Sequence, residues 1–503
     1  MTYINAQGRL KGCKPVAVID IGSNSVRLVV YEGLVRSPTV LFNEKVLCGL
    51  GQGVAKTGFL EEKSMEMTLR TLKRFRALCQ QIGADEVYTL ATAAAREAKN
   101  GLVFIQNAEH ILQKKIYVLS GSEEAAYSAY GVISTFYQPN GITGDLGGGS
   151  LELIGICGSD VDEGITLPLG GLRLQYMSNN NIDMAAKIVH EQLSKSAIVP
   201  KGMVRSFYAV GGTWRNLAKL HMATKHYQLP VVHGYEVDAL EMKDFLHFVV
   251  SDSIDNVEGI SAISKNRRQL LAYGAIVLIE LIQYMGFEKI IFSGAGVREG
   301  FLYSQLSQAV RISDPLIAAC TEMAILRARS PKQAEELIDF TTNAFEVFRI
   351  LEIENECRYR KAACLLADIG WRIHPDYRGN EAASQIALGS YPGISHEGRI
   401  YAALAVFFRN MGLSADKEAP VIFKLASDDI VEKARILGGI MRVANLFSTS
   451  IAGILPNLSW QRKQNDIILH IPLRYADLVG ERPLGRLKQL SKVIKLPLAF
   501  EIS

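Results

Sequence analysis

The sequence predicts an α/β protein in which two related lobes are followed by a mainly helical region. The first observation is a glycine-rich turn between two apolar strands, in which Asp145 precedes residues 147–150 and Glu152 follows them. The second is an earlier copy of this pattern, in which Asp20 precedes a turn at residues 22–25. The third is the alternation of predicted strands and helices through the first part of the chain, which is typical of α/β folds.

The two turns have the composition of a phosphate site. Glycine allows the main chain to approach a ligand closely, and consecutive backbone N–H groups in a turn form a concavity that suits an anion. Carboxylates beside a bound phosphate are typical ligands of Mg²⁺. A single turn of this kind is as compatible with a simple hairpin as with a ligand site. The second copy favours two halves that face each other across a phosphate.

The order of the elements supports this interpretation. Each glycine turn falls at the carboxyl end of a predicted strand, where α/β folds bind ligands. Helices are indicated by apolar residues at spacings of three and four. The predicted strands are residues 16–31, 39–48, 86–92, 115–119, 142–155, 164–169, 289–292, 465–471 and 497–502, and the long helices are residues 61–82, 270–285 and 484–494, with others beginning near residues 92, 125 and 297.

The length of 503 residues exceeds what one hydrophobic core usually supports, so we expect several domains. The predicted divisions are a first lobe at 1–135, a second lobe at 136–310, a helical domain at 311–443 and a small α+β part at 444–503. Residues 441–503 carry nine Lys or Arg against four Asp or Glu, and such a basic surface attracts polyanions. The net charge of +4 is too small to indicate a nucleic-acid-binding protein.

The cysteines and the apolar runs predict the cellular compartment. Seven cysteines are spread along the chain without a CxxC pair, which argues against a zinc site or a disulfide framework and favours a reducing compartment. The sequence has neither the pattern of a secretory leader nor an apolar run of membrane-spanning length. We therefore expect a cytoplasmic protein with no membrane and no nucleic acid among its partners.

Two charged residues lie beside predicted helix starts. Residues 120–124 cap a helix, and an acidic side chain such as Glu124 in a first turn suits the helix dipole. Arg96 lies close to another helix start, just after a strand. It could pair with a surface carboxylate, or it could direct its guanidinium at a bound phosphate. These residues alone leave both interpretations open.

Five ordered segments resemble the exopolyphosphatase and guanosine-pentaphosphate phosphohydrolase family: residues 18–29, 120–126, 144–153, 210–213 and 293–300. That family belongs to the superfamily of sugar kinases, Hsp70 chaperones and actin. The resemblance therefore implies two actin-like (ribonuclease H-like) lobes. The rest of the chain is similar to the longer family members, whose helical domain is related to the HD phosphohydrolases.

The resemblance also implies roles for individual residues. Glu124 would be the catalytic base that orients water, and Arg96 would be a catalytic arginine in contact with phosphate. Mg²⁺ would be held by Asp145 and Glu152, with Asp20 as a further candidate ligand. The residues expected to bind phosphate are Gly22, Ser23, Asn24, Ser25, Arg27, Gly147, Gly148, Gly149, Ser150, Gly211, Gly212, Thr213 and Arg267.

The activity implied by the resemblance is Mg²⁺-dependent, processive release of orthophosphate from inorganic polyphosphate. The helical domain and the basic tail fit such a substrate. Guanosine penta- or tetraphosphate fits the same catalytic residues, so this alternative stays open. A non-enzymatic scaffold that senses polyphosphate or nucleotide is a further alternative. A sugar or acetate kinase is disfavoured because no sugar-binding segment stands out.

The helical domain departs from the pattern of HD enzymes. Those enzymes need a His-Asp pair as metal ligands, but Ala367 stands where the histidine would precede Asp368, and residues 408–410 lack the later histidine. We therefore expect this domain to be a scaffold for a homodimer and to form a basic channel that holds a polyanion. The residues expected to help line the channel are Arg358, Arg360, Lys361, Arg372 and Arg378.

Overall fold

The structure is a computed structural model that describes residues 10–196, 205–251, 257, 259–415, 418–464 and 466–503. The side chains of residues 55, 56, 266 and 267 also lie outside the description. Residues 11–313 form one compact unit and residues 314–503 belong to a second one. This division follows residue 313, whereas the boundary predicted from the sequence follows residue 310. No helix within the described ranges combines the length and the apolar character needed to cross a membrane.

The first unit contains two sheets, one in each lobe. The strands of lobe I are β1 (Val16–Ile21), β2 (Ser25–Tyr31), β3 (Val40–Leu47), β4 (Glu86–Ala91) and β5 (Ile116–Val118). Their order in the sheet is β3-β2-β1-β4-β5, with β1 antiparallel to β2 and parallel to β4. Every residue of β1 is buried except Asp20, which is partly exposed. The central strand therefore presents its one carboxylate at the end that leads into the first glycine turn.

The sheet of lobe II repeats this arrangement. Its strands are β6 (Asn140–Leu146), β7 (Leu151–Cys157), β8 (Asp160–Val161), β9 (Ile165–Leu167), β10 (Ser206–Val210), β11 (Tyr235–Asp238) and β12 (Lys289–Phe292). The order is β11-β12-β10-β6-β7-β8, and β9 also pairs with β7. Strand β6 is antiparallel to β7 and parallel to β10, as β1 is to β2 and β4. Both lobes thus contain an antiparallel hairpin beside a parallel strand.

Helices cover these two sheets. Those of the first unit are α1 (Val54–Thr57), α2 (Glu62–Ile82), α3 (Ala93–Glu97), α4 (Gly101–Leu112), α5 (Gly121–Thr135), α6 (Gly171–Met177), α7 (Ile182–Lys195), α8 (Gly212–Thr224), α9 (Ala239–Ser251), α10 (Lys265–Arg268), α11 (Leu271–Met285), α12 (Val297–Gln305) and α13 (Gln308–Arg311). Helix α5 starts with a capping box, in which the Ser120 hydroxyl accepts a bond from the N–H of Glu123 and the Glu123 carboxylate accepts one from the N–H of Ser120. The cap fixes the orientation of the first turn, where Glu124 lies.

Helices α5 and α12 pack closely against each other. A Cβ on Gly300 of α12 would overlap the carbonyl oxygen of Tyr127 in α5, so only glycine fits there. Because the two helices approach so closely, their first turns reach the same cleft. Those turns carry Glu124 and Arg298, which both line it.

The second unit is mainly helical, with a small sheet near its end. Its elements are α14 (Pro315–Arg327), α15 (Pro331–Phe348), α16 (Glu354–Leu365), α17 (Arg378–Leu388), α18 (His396–Met411), α19 (Asp428–Ser448), β13 (Ser459–Lys463), β14 (Asp466–Ile471), α20 (Glu481–Ile494) and β15 (Leu498–Ile502). The sequence did not predict β13, which has one buried residue, Trp460, packed against the rings of Phe340 and Phe348. The predicted fold class, α/β lobes followed by a helical region and a small α+β part, is confirmed.

Two arginines of the expected basic channel are buried in ion pairs instead. Arg358 donates to both carboxylate oxygens of Asp314, at 2.6 and 2.8 Å. Arg360 donates to Glu352 at 2.9 Å. Both arginines are buried, with 5% and 2% of their surface exposed. The prediction that these two residues contact a polyanion is therefore wrong, because their charges are already neutralised within the helical unit.

The other arginines and the lysine expected in the channel are partly or fully accessible. Arg372 is exposed and stacks over the Trp371 ring at 4.7 Å from its centroid. Arg378 donates to the carbonyl oxygen of Trp371 at 2.9 Å. Lys361 is half-buried. Their contact with a polyanion stays a prediction.

Asp368, the aspartate of the HD-like segment, is held by two arginines. Arg329 donates to its two carboxylate oxygens at 2.8 and 2.6 Å, and Arg409 lies 3.3 Å from one of them. Burial would raise the pKa of Asp368, but the two guanidinium groups lower it below its usual value. Ala367, at the expected histidine position, is buried in the apolar core. Arginine charges thus occupy the surroundings in which an HD enzyme would hold a metal ion.

Candidate active site

A cleft of about 220 Å³ lies in the first unit, where the two glycine turns face each other. A Cβ on Gly148 would lie 3.2 Å from the Cβ of Ser23, so the turns approach almost to contact. In each turn the N–H of the first glycine donates to the carbonyl oxygen of the closing serine, at 3.1 Å for Gly22 and at 3.0 Å for Gly147. The two turns therefore have the same internal hydrogen bond.

Nearly all residues predicted to bind phosphate line this cleft. The side chain of Arg267 lies outside the described residues. A third turn, after β10, also needs glycine, because Gly211 has a φ of +113° and a Cβ there would lie 2.6 Å from the carbonyl oxygen of Leu146. The predicted residues that line the cleft are Gly22, Ser23, Asn24, Ser25, Arg27, Gly147, Gly148, Gly149, Ser150, Gly211, Gly212 and Thr213.

Glu124 is the buried carboxylate of the cleft, with 8% of its surface exposed. Its Oε2 accepts a bond from Nη1 of Arg96 at 3.2 Å, and the same nitrogen donates to the carbonyl oxygen of Leu119 at 2.6 Å. Burial raises the pKa of Glu124 from 4.5 to about 7, against the opposing effect of Arg96 and with a contribution from Asp145. A carboxylate with a pKa near neutrality can accept a proton from water.

Asp145 and Glu152 lie opposite each other in the hairpin of lobe II. The hydroxyl of Ser128, one turn after Glu124 in α5, donates to Oδ2 of Asp145. Glu152 is 1% exposed, and its Oε1 has no hydrogen-bond partner among the described residues. Burial raises the pKa of both carboxyl groups, and repulsion by Glu124 adds to the rise for Glu152. Arg215 and Arg298 oppose the rise at Asp145, and Arg96 opposes it at Glu152, but both pKa values stay above their usual values.

The two carboxyl groups of this hairpin are of the type that binds Mg²⁺. Asp145 lines the cleft, whereas Glu152 is paired with it in the hairpin and is not among the described lining residues. A divalent cation would offset the burial and the mutual repulsion that together raise the pKa values of Glu124, Asp145 and Glu152. Among the described residues, however, no group of three or more His, Cys, Asp or Glu side chains is arranged to enclose a metal ion. In proteins Mg²⁺ is commonly held by one or two carboxylates together with water and phosphate oxygens. The hairpin therefore suits an ion shared with a phosphate ligand.

Asp20, the third candidate ligand, is already bound by an arginine. Nη1 of Arg298 donates to its Oδ2 at 2.7 Å. Burial would lower the pKa of Arg298, but the charges of Glu299 and Asp20 raise it above its usual value. Glu299 is held in turn by a bond from the Tyr31 hydroxyl at 2.8 Å. This network orients the Arg298 side chain, which lines the cleft.

Two further arginines line the cleft beside Arg298. Arg27 donates to Asn43 at 2.8 Å. Arg215 donates to two carbonyl oxygens, those of Gly211 at 3.2 Å and Gly294 at 2.9 Å, and makes no ion pair in the described part of the chain. Burial and the neighbouring charge of Arg298 lower the pKa of both arginines. Positive charges that repel one another in a cleft are expected where an anion binds.

Arg215 and Arg298 were not among the site residues predicted from the sequence. A signal was present, since Arg215 follows two residues after Gly-Gly-Thr and Arg298 lies inside one of the five family segments. Their role depends on which side of the helix faces the cleft. Both lie in the first turn of a helix that begins at a glycine turn.

Two protein-family models match most of the chain. The model described as "Ppx/GppA phosphatase family" matches residues 16–309, and the model "Exopolyphosphatase, C-terminal" matches residues 316–500. The chain belongs to the Ppx/GppA phosphatase family. The resemblance inferred from the sequence motifs is thereby confirmed, together with the actin-like fold of the two lobes.

Similar proteins cover mainly the two lobes. A solved Ppx/GppA family member from Aquifex aeolicus is 26% identical, with a TM-score of 0.50, and the match covers 58% of this chain and 97% of that one. An exopolyphosphatase structure from Cytophaga hutchinsonii, 22% identical with a TM-score of 0.50, covers 58% and 97% and supports the fold. A bifunctional 3-dehydroquinate synthase/phosphatase from Fusobacterium nucleatum is 28% identical over 298 residues. This match takes in 55% of the chain and only 44% of that curated relative.

Proposed function

We propose that this protein is an exopolyphosphatase, which hydrolyses the terminal phosphoanhydride bond of inorganic polyphosphate and releases orthophosphate. Membership of the Ppx/GppA phosphatase family supports a phosphohydrolase. The observation that carries the proposal is the position of Glu124. This buried carboxylate, with a pKa of about 7, lies in a cleft whose other walls are glycine turns and arginines.

In the proposed reaction a water oxygen forms a bond to the terminal phosphorus, and the bond from phosphorus to the bridging oxygen breaks. Deprotonated Glu124 accepts the water proton. The shortened chain leaves with the bridging oxygen and its electron pair. The N–H groups of the glycine turns hold the non-bridging oxygens with the help of Arg27, Arg215 and Arg298. Arg96 orients the Glu124 carboxylate through their bond at 3.2 Å.

We propose that Asp145 and Glu152 hold Mg²⁺ beside the second turn. The bound ion would neutralise charge on the phosphate oxygens. Ser128 restrains the Asp145 carboxylate through its hydroxyl, so this ligand is oriented before the ion binds. Asp20 is bound by Arg298, and we assign it to holding that arginine in the cleft.

Two observations support a polyphosphate substrate over a nucleotide. Residues 316–500 match the family model described as the C-terminal part of exopolyphosphatase. The last part of the chain, from residue 441 on, also has an excess of five positive charges, nine against four. A long polyanion can use cationic contacts far from the cleaved bond, whereas a nucleotide needs only those of the cleft.

The test measures phosphate release from long-chain polyphosphate and from guanosine pentaphosphate, each with Mg²⁺ and with EDTA. We expect Mg²⁺-dependent release from polyphosphate. Release from the nucleotide alone would contradict the proposed substrate, and no release from either would contradict the hydrolase. The homodimer and the cytoplasmic location stay predictions of the sequence. Light scattering of the purified chain tests the first of them.

A further inference from the structure

A second cavity, of about 800 Å³, lies next to the catalytic cleft. The linings of the two cavities overlap, and Ser23, Gly148 and Gly149 are among the shared residues. Arg173 of α6 lines the second cavity and does not belong to the described lining of the cleft. Its guanidinium still reaches the second glycine turn, since a Cβ on Gly149 would lie 3.8 Å from Nη2 of Arg173. This arginine is therefore close to the site without facing the phosphate cleft.

Arg173 is joined to Glu124 by a series of charges of alternating sign. Nη2 of Arg173, in lobe II, donates to Oε2 of Glu97, in α3 of lobe I. Oε1 of Glu97 lies 3.7 Å from Nη2 of Arg96. Nη1 of Arg96 donates in turn to Glu124 at 3.2 Å. The series Arg173, Glu97, Arg96, Glu124 thus crosses from one lobe to the other and ends at the proposed base.

Glu97 and Glu124 lie on two sides of the same guanidinium group. Without Arg173, the negative charge of Glu97 would attract Arg96 away from Glu124. Arg173 makes the closer contact with Glu97, so this charge is neutralised from the opposite lobe. The side chains are 22% (Arg173), 34% (Glu97) and 22% (Arg96) exposed, so the attractions are only partly screened by water.

We propose that Arg173 is a positioning residue: by neutralising Glu97 from lobe II, it leaves Arg96 bonded to Glu124 in lobe I. The catalytic pair is then complete only while the two lobes are in contact. This inference rests on the proposed function of Glu124 as the base. It assigns no contact between Arg173 and the substrate.

The kinetic test compares Arg173→Gln, Glu97→Gln and the double variant of the full chain, with polyphosphate as substrate. We expect Arg173→Gln to lower kcat roughly 10- to 100-fold, as displaced catalytic groups commonly do, and to change KM little because the cleft arginines are intact. Adding Glu97→Gln should restore most of the lost kcat, since no carboxylate then competes for Arg96. Arg173→Lys should keep most of the activity because it keeps the charge.

A matched control is Arg74→Gln, which removes an ion pair with Glu44 on the surface of lobe I and should leave kcat unchanged. The proposal is overturned if the double variant is as slow as Arg173→Gln, because the pair would then only hold the lobes together. It is also overturned if Arg173→Lys is as slow as Arg173→Gln. A crystal structure of Arg173→Gln gives a readout that needs no substrate: we expect Arg96 on Glu97. Arg96 still bonded to Glu124 would refute the positioning role, whatever the protein hydrolyses.

Discussion

Residues 20–27 of lobe I and residues 145–152 of lobe II have the same length and the same turn. Each begins with an aspartate two positions before a glycine and reaches a serine at its sixth position. In each, the aspartate pairs across the hairpin with the residue seven positions later. That residue is Arg27 in lobe I and Glu152 in lobe II. The two hairpins have the same strand pairing and the same turn, and they differ in the charge of the residue opposite the aspartate.

The charge opposite the aspartate gives the two hairpins different electrostatic surroundings beside one cleft. In lobe I, Asp20 is neutralised by Arg298, and Arg27 adds a second positive charge. In lobe II, Asp145 and Glu152 are two carboxyl groups with raised pKa values. In the proposed site, the same hairpin would offer a cation, Arg27, to phosphate in lobe I and two carboxylates to Mg²⁺ in lobe II. The following predictions test this division.

The largest effect is expected at Glu124, where the charges of both lobes meet. Glu124→Gln should lower kcat by about two to four orders of magnitude, the usual contribution of a positioned base. Binding of polyphosphate should persist, because the cleft arginines Arg27, Arg215 and Arg298 are unchanged. Phosphate release and a binding titration measure the two quantities. Glu123→Gln is the matched control, since Glu123 is an exposed capping residue, and it should keep most of its activity. Near-normal turnover of Glu124→Gln would mean that another group activates water.

The next prediction concerns how the free energy of unfolding depends on pH in the absence of metal. Because the folded-state pKa of Glu124 is about 7 against 4.5, the folded protein binds this proton more tightly than the unfolded chain does. The resulting stability is present below pH 4.5 and is lost as pH rises through about 7. The loss should be on the order of 3 kcal/mol.

Urea unfolding in EDTA at pH 5 and pH 8 checks this loss. Glu124→Gln should show a smaller decrease in the free energy of unfolding, and Mg²⁺ should restore the wild-type stability at pH 8. Arg27→Gln, altered in lobe I, should keep the wild-type pH dependence. A wild-type protein that becomes more stable between pH 5 and pH 8 would contradict the raised pKa of Glu124.

Replacing the charged residue opposite each aspartate by glutamine should separate phosphate binding from Mg²⁺ binding. Arg27→Gln should raise KM for polyphosphate roughly tenfold, as expected for a lost hydrogen bond to a charged group. Glu152→Gln should instead raise the Mg²⁺ concentration for half-maximal activity by roughly 10- to 100-fold. Titrations of substrate and of Mg²⁺ on both variants provide the measurement. If Arg27→Gln changed the Mg²⁺ requirement, the two hairpins would not have separate tasks.

The smallest effect is expected at Ser128, whose hydroxyl holds Asp145 as the guanidinium of Arg298 holds Asp20. Ser128→Ala should lower kcat or Mg²⁺ affinity by roughly 3- to 10-fold, the net value of a typical hydrogen bond. Ser134→Ala removes a hydroxyl in the same helix that donates to the carbonyl oxygen of Gly131. This control should have wild-type kinetics, and an equal loss in both variants would indicate a general effect on the helix.

The local parts of the site could be predicted from the residues. The glycine turns after β1 and β6 and the cap at Ser120 depend on backbone conformations and bonds within a few positions. The α/β fold followed by helices was also predictable, because apolar spacing sets each element. Strand β13 was not predicted, because Trp460 is its one buried residue. The burial of Trp460 depends on rings more than a hundred positions away in the sequence.

The pairing of charges could not be predicted in this way. A lysine, arginine or glutamate has the same local pattern whether it lies in water, in an ion pair or against a ligand. Arg358 and Arg360 therefore resembled channel residues until their partners, Asp314 and Glu352, were located. Arg298 meets Asp20 across 278 positions of sequence. Local sequence was enough for the loops that can receive a phosphate. Which charges surround that phosphate depended on the folded chain, because Coulomb interactions act through space and bring together residues that are far apart in the sequence.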